Sequence, residues 1–208
     1  MRIKSIASAP DRTGRFKVVF DDDSVERLYR QTVQDFGLYA GRELSDEEFS
    51  KLKESAGEMS AKMRAMRIIA ASSVSKGDLE YRLVQKGENP EQAKAAVAWM
   101  SELDLLDDRK TAELVVARCI AKGYGRNRAK QALYEKRIPR EYWEEALTDY
   151  PDQIEKIMDF LESRLGDEPS DKDVKRAVDA LLRRGHSYAT IRRAMHEMAM
   201  DSNEFPED

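Results

Sequence analysis

The chain has 208 residues, of which 37% are charged and 41% are apolar, and its formal net charge at pH 7 is -4. This apolar fraction is low for a single round core, so the composition favours an elongated helical protein. No stretch reaches the roughly 20 apolar residues of a membrane-spanning helix, and the start has no pattern of a secretory signal. The single cysteine excludes an internal disulfide framework and indicates a cytoplasmic protein.

The first thirty residues alternate apolar and polar positions in the manner of strands. Polar turns at residues 10–14 and 21–24 separate three such stretches, which predicts a small antiparallel β meander. The three aspartates of the second turn lack the ligand spacing and final glutamate of a calcium loop, so we interpret them as a solvated turn. A capping box at Ser45 and Glu48 predicts the start of a helix, and Gly57 predicts its end.

Three short helices are predicted between Ser75 and Gly123, each with its own start signal. Their predicted bounds are Ser75 to Lys86, Asn89 to Leu103 and Asp107 to Lys122. Ser75, Asn89 and Asp107 are N-cap residues, and Gln92 follows Asn89 at the position where its amide can return the capping bond. Glycines follow the first and third helices, where a left-handed residue ends a helix at least cost. Helices this short are unstable alone, so their apolar faces must pack together.

An internal repeat emerges when helix ends are aligned without gaps. Segments 83–87, 133–137 and 181–185 each carry an aliphatic helix end followed by basic residues and a turn. Ten positions beyond the turn, each copy has an apolar residue preceded by alanine: Val97, Leu147 and Met195. A spacing of about 50 residues is typical of a three-helix unit. We therefore predict a mainly α fold, with tandem three-helix repeats forming an elongated curved array after a small N-terminal antiparallel β element.

This interpretation divides the chain into five parts. The β meander and short helices occupy residues 1–57, the three repeats occupy residues 58–106, 107–150 and 151–200, and an acidic tail occupies residues 201–208. Upstream of the aligned segments, each repeat contains one further predicted helix, at residues 59–72, 107–122 and 153–165.

Residues that could carry catalysis are scarce. The two histidines have no partner at metal-ligand spacing, no serine lies in a nucleophile elbow, and Cys119 lies on an apolar helix face that indicates packing. Residues 123–125 lack the strand and the lysine-serine pair of a phosphate loop, and helix capping accounts for Asp107 and Asp108. We expect no catalytic, cofactor-binding or metal site, and so a protein that is not an enzyme.

Basic residues cluster locally although the chain is acidic overall. Between Arg118 and Arg140, eight cations accompany the single acid Glu135, and a second cluster follows in the third repeat. These residues are either the solvated faces of amphipathic helices or one basic track along successive turns. Such a track could meet an acidic protein groove or a phosphate backbone.

Four aromatic residues are interleaved with the first basic cluster. Tyr142 and Trp143 are predicted to pack between repeats, because large aromatic side chains supply much of the apolar area buried in such contacts. Tyr124 and Tyr134 are instead candidates for exposure at a contact surface, where a ring can bury its apolar body while its hydroxyl stays hydrated. The aromatic residues therefore mark the region around residues 124–143 as a candidate for both internal packing and partner binding.

Several short motifs follow one another in a characteristic order along the helical region. They are Ser75-Lys76-Gly77-Asp78-Leu79, Leu106-Asp107-Asp108, and Gly123-Tyr124-Gly125 leading to Leu133 and Ile138. Together they resemble the RecX family of bacterial RecA regulators, over nearly the whole chain, including the strands with Phe20-Asp21-Asp22-Asp23. The chain departs from the family near Ser73, Thr111 and Arg137, where arginine, an aromatic residue and glycine are usual. These departures bear on contacts at those positions and not on the architecture.

The resemblance implies a non-enzymatic protein that binds RecA filaments on DNA in their helical groove and lowers RecA ATP hydrolysis and strand exchange. The implied partner is the RecA nucleoprotein filament, with weak DNA contact through basic faces, and the protein is expected to act as a monomer without a cofactor. Ten basic residues are the candidate partner contacts: Lys122, Arg126, Arg128, Lys130, Lys136, Arg137, Arg183, Arg184, Arg192 and Arg193. The alternative is a helical DNA-binding or protein-scaffold module that acts without RecA.

Overall fold

A computed structural model describes residues 1–166 and 169–201 and shows two compact units, one formed by Met1–Leu106 and one that begins at Asp107. Three strands come first: β1 (Ile3–Ile6), β2 (Arg15–Phe20) and β3 (Val25–Tyr29). The helices of the first unit are α1 (Arg30–Asp35), α2 (Asp46–Ala71), α3 (Lys76–Gln85) and α4 (Pro90–Glu102). Those of the second unit are α5 (Asp108–Ala121), α6 (Arg126–Glu135), α7 (Trp143–Ala146), α8 (Ile154–Glu162), α9 (Asp171–Arg183) and α10 (Tyr188–Asp201), with a 3-10 turn at Arg140–Tyr142 before α7.

The described elements agree with the predicted mainly α fold and its N-terminal β meander. None of the described helices is long and apolar enough to cross a membrane. The predicted acidic tail lies outside the described residues from residue 202 onward. The helix starts predicted at Ser75, Asn89 and Asp107 are confirmed, because each of these side chains accepts a hydrogen bond from a backbone amide in the first turn of its helix.

The three strands form the predicted antiparallel meander in the order β1-β2-β3. Alternate residues of the strands, including Ile3, Val18 and Phe20, are buried and form one apolar cluster with Leu52 of α2. The aspartate-rich turn between β2 and β3 is exposed, and Asp23 forms a surface ion pair with Lys4 of 2.8 Å. The sheet therefore packs on the start of α2, and its second turn is solvated as predicted.

Gly57 lies inside a helix, so the helix end predicted there is wrong. α2 runs through this position without a break, and Ser45 and Glu48 form both bonds of the predicted capping box at its start. A Cβ at position 57 would lie 2.3 Å from Nε2 of Gln92, so the glycine leaves room for a side chain of α4. The Gln92 amide donates to the Glu54 carbonyl oxygen at 3.3 Å instead of capping α4. The predicted division after residue 57 thus falls within a helix.

The three aligned helix ends share one backbone turn. Gly87, Arg137 and Gly185 all have positive φ, of +89°, +52° and +88°. In each turn, this residue's amide donates to the carbonyl three residues before it, and the next amide donates to the carbonyl five residues before itself, at 2.8 to 3.2 Å. This pair of bonds is the Schellman motif, which satisfies the last carbonyls of a helix. The alignment of the three turns is therefore confirmed in the backbone.

The helices from α2 to α10 form three groups of three, and each group has an apolar core of its own. The clusters lie among α2, α3 and α4, among α5, α6 and α7, and among α8, α9 and α10. Leu83, Leu133 and Leu181, the aliphatic residues aligned from the sequence, are fully buried in the three clusters in turn. Helices too short to be stable alone are thus stabilised by burying their apolar faces within a group of three. The prediction that the helices at residues 75–86, 89–103 and 107–122 pack against one another is wrong, because α3 and α4 share their core with α2, whereas α5 shares its core with α6 and α7.

Tyr142 and Trp143 contribute to the core of α5, α6 and α7, so the prediction that they pack between repeats is wrong. Both side chains are half-buried against this cluster. The Trp143 indole nitrogen donates to the Ile138 carbonyl oxygen at 2.9 Å, which orients the ring inward. The third helix of this group is shorter than in the other two, and the aromatic side chains supply part of the apolar area that a longer helix would bury.

Replacing Gly57 by alanine tests its position inside α2. Alanine is more favourable than glycine in a helix interior by about 1 kcal/mol, and only the flexible end of Gln92 must move to admit the methyl group. We expect Gly57→Ala to leave the free energy of unfolding unchanged or to raise it by up to about 1 kcal/mol, measured by urea titration with circular dichroism. Gly87→Ala is the control, because its left-handed conformation strains alanine by roughly 1–2 kcal/mol. An equal loss in both variants would contradict a helical Gly57.

Candidate functional site

The chain after α5 meets the turn after α9 backbone to backbone, in a contact that we call the junction (residues 123–128 with 184–186). The Gly125 amide donates to the Arg184 carbonyl oxygen at 2.9 Å, and the Asn127 amide donates to the Gly185 carbonyl oxygen at 3.1 Å. A Cβ on Gly125 would lie 2.2 Å from the Gly185 carbonyl, and a Cβ on Gly185 would lie 2.2 Å from the backbone nitrogen of Arg128. Both positions therefore require glycine for the two backbones to approach this closely.

Side chains from the segment around α8 satisfy the carbonyl groups at the end of α5. Gln153 Nε2 and Lys156 Nζ both donate to the Ile120 carbonyl oxygen, at 3.1 and 2.9 Å. The Tyr150 hydroxyl donates to the Tyr124 carbonyl oxygen at 2.6 Å, and partial burial raises the pKa of this phenol to about 12. Because helix-terminal carbonyls lack intrahelical partners, these bonds fix α5 against the following helices and support the junction.

His186 is the buried polar side chain of the junction. Its Nε2 lies 3.0 Å from the Gly123 carbonyl oxygen, so the neutral ring with a proton on Nε2 donates this bond. Burial lowers the pKa of His186, the bond to Gly123 opposes that shift, and the neighbouring Arg184 adds to it. The ring is therefore stabilised in its neutral form, in which it joins the two halves of the junction.

The junction brings together five of the ten predicted contact residues, each within one residue of a hydrogen bond that crosses it. We call these the junction cluster: Lys122, Arg126, Arg128, Arg183 and Arg184. Lys130 lies one helical turn beyond Arg126 on α6, and Arg192 and Arg193 lie in the early turns of α10. Lys136 and Arg137 follow the opposite end of α6, outside the cluster.

Two of the predicted contact residues are paired with carboxylates. Arg128 is half-buried, and its Nη1 lies 2.9 Å from Glu135, a hydrogen bond that raises the pKa of the guanidinium. Arg193 lies 2.9 Å from Asp152 in an exposed pair. Six other candidates are exposed and form no ion pair within residues 1–166 and 169–201: Lys122, Arg126, Lys130, Arg183, Arg184 and Arg192. The unpaired cations are therefore the better candidates for partner binding.

One exposed face of α6 combines positive charge with an aromatic ring. Arg126, Lys130 and Tyr134 recur at every fourth position, so they share one side of the helix. Tyr134 is 70% exposed, which agrees with its predicted exposure at a contact surface. Tyr124, the other candidate for exposure, is instead half-buried against the α5–α7 core. We call Arg126, Lys130 and Tyr134 the α6 face. Tyrosine and arginine are enriched in protein interfaces, which makes this face the strongest candidate for a partner contact.

His186 is absent from the predicted site residues, although the repeat alignment contains a signal for its structural role. The residue after each turn is Glu88, Ile138 or His186, and all three are buried. A polar residue at a buried position needs a partner, and Glu88 has one in Arg64 of α2, which binds it through Nε at 2.5 Å. The apolar residue Ile138 marks this aligned position as a buried one. The polar residues Glu88 and His186 at the same position are therefore expected to be buried and to have partners.

Metal-ligating side chains are dispersed in the part of the chain that the structure describes. There, no group of three or more histidine, cysteine, aspartate or glutamate residues is placed to hold a metal ion. Cys119 is buried, and burial raises the pKa of its thiol, so it packs as an apolar residue in the core of α5, α6 and α7. Asp107 caps α5 by accepting from the Lys110 amide at 3.0 Å.

Comparison with known proteins identifies the family. A family model described as RecX, second three-helix domain, matches residues 107–147, which contain α5, α6 and α7. The Regulatory protein RecX of Chlorobaculum tepidum is 32% identical over 136 residues, which cover 64% of this chain and 84% of that relative. The chain belongs to the RecX family. The Regulatory protein RecX of Clostridioides difficile is 23% identical over 190 residues, covering 88% of this chain and 89% of its own.

Solved structures of RecX proteins share the fold. A crystal structure of regulatory protein RecX aligns with a TM-score of 0.63 and 18% identity over 94% of this chain and 98% of its own. The crystal structure of RecX from Lactobacillus salivarius aligns with a TM-score of 0.60 and 20% identity over 70% of this chain and 99% of its own. At these identities the comparison establishes the common fold, and the family assignment rests on the sequence relatives.

Gly125→Ala tests the backbone contact at the junction. Gly125 has an ordinary φ of -76°, so alanine strains nothing locally, but its methyl group would collide with the Gly185 carbonyl. We expect the variant to lose roughly 2–4 kcal/mol of unfolding free energy through overpacking and two weakened hydrogen bonds. Hydrogen exchange should show faster exchange of the Gly125 and Asn127 amides. Gly87→Ala, where a Cβ meets no atom within 4 Å, should leave both amides protected; unchanged protection in Gly125→Ala would refute the contact.

The buried His186 predicts a pH-dependent stability. The unfolded chain binds a proton near pH 6.5, whereas the folded ring binds it only at lower pH, so the stability that neutral His186 contributes is lost as the pH falls below about 6.5. Urea titrations between about pH 7 and pH 5.5 should show this loss. His186→Gln, which keeps a donor for Gly123, should flatten the dependence, and His196→Gln, on the exposed side of α10, should retain it. Equal pH slopes in the two variants would exclude this role for His186.

Proposed function

We propose that the chain is a non-enzymatic regulator of RecA that binds RecA–DNA filaments in their helical groove and inhibits ATP hydrolysis and strand exchange. It would act in the cytoplasm as a monomer, in recombination and DNA repair. Membership in the RecX family, whose relatives are named regulatory proteins, supports a regulatory role. The observation that carries the proposed contact is the α6 face, which lies beside the junction cluster and has two cations that form no ion pair with any residue the structure describes.

The α6 face and the junction cluster suit an acidic surface on a protein partner. Unpaired exposed cations raise the rate of encounter with a surface of opposite charge, and they suppress binding to basic surfaces. Arg126 and Tyr134 are residue types that carry much of the binding energy in protein interfaces. The junction positions Arg126 and Arg183 on a rigid backbone contact, so binding would order only their side chains.

The repeated helix groups suggest how one chain could inhibit a filament. We propose that residues 58–106, 107–150 and 151–200 act as similar modules on a lattice of identical RecA subunits. Linked weak contacts gain affinity through effective concentration, provided that the modules reach neighbouring sites. A chain that bridges adjacent protomers would stabilise one subunit spacing, and so would oppose the motion that accompanies turnover.

The first experiment measures the single-strand-DNA-dependent ATPase activity of RecA from the same organism while this protein is titrated below stoichiometric amounts. The proposal predicts a fall in turnover without comparable affinity for bare DNA at the same salt concentration. A DNA-binding module acting without RecA would instead bind bare DNA with a steep salt dependence, which the net charge of -4 disfavours. A protein scaffold unrelated to RecA would leave turnover unchanged.

Charge reversal on the α6 face tests the proposed contact residue by residue. The double variant Arg126→Glu/Lys130→Glu should weaken inhibition of the RecA ATPase at least about tenfold, because it replaces attraction to an acidic partner by repulsion. Arg128 is left unchanged, because it is paired with Glu135 and packs in the junction.

The matched control for this prediction is Arg12→Glu/Lys17→Glu, which changes the net charge equally at exposed positions of the N-terminal segment, outside the three proposed modules. It should inhibit as the natural protein does, and both double variants should keep their far-ultraviolet circular dichroism. Full inhibition by Arg126→Glu/Lys130→Glu would refute the α6 face as the contact. Equal weakening by both double variants would assign the effect to net charge.

A further inference from the structure

A cavity of about 410 Å³ lies against α9 and the end of α8, within the second unit. Its floor includes Ala177 and Ala180, whose small side chains leave space on one face of α9. Arg176 and Arg183 line the cavity from the same face of α9 and are seven residues, or about 10 Å, apart along the helix. The volume falls within the range of about 300–1,000 Å³ that small-molecule sites occupy.

The described residues that line the cavity carry more positive than negative charge. Four arginines and one carboxylate are among the residues that line it: Arg164, Arg176, Arg183, Arg184 and Asp173. The carboxylate of Asp173 already accepts from the Ser170 hydroxyl at 2.5 Å and lies 3.6 Å from Arg176. The other three arginines form no ion pair in the described part of the chain. Their mutual repulsion therefore favours the binding of an anion between them.

An aromatic ring holds two of these guanidinium groups in place. The guanidinium carbon of Arg184 lies 4.3 Å from the centre of the Phe160 ring, and that of Arg164 lies 5.5 Å from it. Cation–π contact with the ring orders each guanidinium group while its N–H donors stay available to a ligand. The two arginines thus lose less conformational entropy on binding an anion than free surface arginines would.

We propose that this cavity binds a compact polyphosphate, such as the diphosphate group of a nucleotide. The planar N–H fork of arginine matches phosphate oxygens in a bidentate way. Several arginines spread over two helical turns suit a ligand that carries several linked negative groups better than a single monovalent anion. This inference does not rest on the proposed regulation of RecA, because the cavity is defined within one unit and its ligand is tested without RecA.

Isothermal titration of the full chain with pyrophosphate and with ADP, at about 0.15 M salt without divalent cations, tests the proposal. We expect each to bind at one site per chain and at least tenfold more tightly than citrate, a multivalent carboxylate of similar size. Equal binding of citrate would overturn the choice of phosphate in favour of carboxylate groups. Absence of binding at millimolar pyrophosphate and ADP would overturn the site itself. An oligonucleotide that binds where pyrophosphate and ADP do not would overturn the small-ligand site in favour of a nucleic-acid contact.

Two variants separate the cavity from general attraction between charges. Arg176→Gln should weaken pyrophosphate binding at least about tenfold, since it removes a charge-assisted hydrogen bond, whereas Lys175→Gln, one residue away and outside the cavity, should bind normally. Ala180→Leu should abolish pyrophosphate binding, because the larger side chain fills part of the cavity without changing any charge. Normal binding by Ala180→Leu, or equal weakening by Arg176→Gln and Lys175→Gln, would contradict the proposal. If Ala180→Leu does not fold, the comparison of Arg176→Gln with Lys175→Gln tests the proposal.

Discussion

The close approach of two backbones at Gly125 and Gly185 determines how the helices of the second unit are arranged. Amide and carbonyl groups 2.9 and 3.1 Å apart can join these turns only where neither residue carries a Cβ. The contact places the start of α6 against the end of α9, although the two segments are 60 residues apart in sequence. Arg126 and Arg183 become neighbours for this reason, and the proposed basic surface exists only while the two backbones remain in contact.

The three aligned turns show how one backbone geometry supports different local chemistry. Each ends a helix with the same pair of hydrogen bonds, and each is followed by a buried residue. Glu88 forms a hydrogen-bonded ion pair with Arg64, Ile138 packs in an apolar core, and His186 bonds to a carbonyl group across the junction. The three repeats therefore have the same backbone path at this turn. In each repeat a different interaction holds the residue that follows the turn.

Local signals in the sequence predicted most of the secondary structure. N-cap residues predicted the starts of α3, α4 and α5, and glycines predicted the ends of α3 and α5, each to within a residue or two, because these signals act within a single helical turn. The helix end predicted at Gly57 was wrong because a glycine has two physical uses, a left-handed conformation and room for a neighbour. At Gly57 the second use applies, and the neighbour, Gln92, lies 35 residues further along the chain.

The candidate site was less predictable, because its geometry depends on contacts between distant segments. Gly87 and Gly185 are alike in the sequence alignment and in φ, yet a Cβ meets no atom within 4 Å at Gly87 and meets the Arg128 backbone at Gly185. The pairing of Arg128 with Glu135 spans seven residues, outside the usual helical spacing of ion pairs. Composition and clustering thus identified the basic region, but the structure was needed to separate paired from unpaired cations.

We propose that the cations beside the junction that form no ion pair in the described part of the chain bind RecA within its filament. A cryo-electron microscopy reconstruction of the full chain bound to RecA on single-stranded DNA tests this most directly. We expect density in the helical groove, in contact with two adjacent RecA subunits, with Arg126, Lys130 and Tyr134 turned toward RecA. Density confined to the filament end, or a bound chain whose α6 face points to solvent, would contradict it.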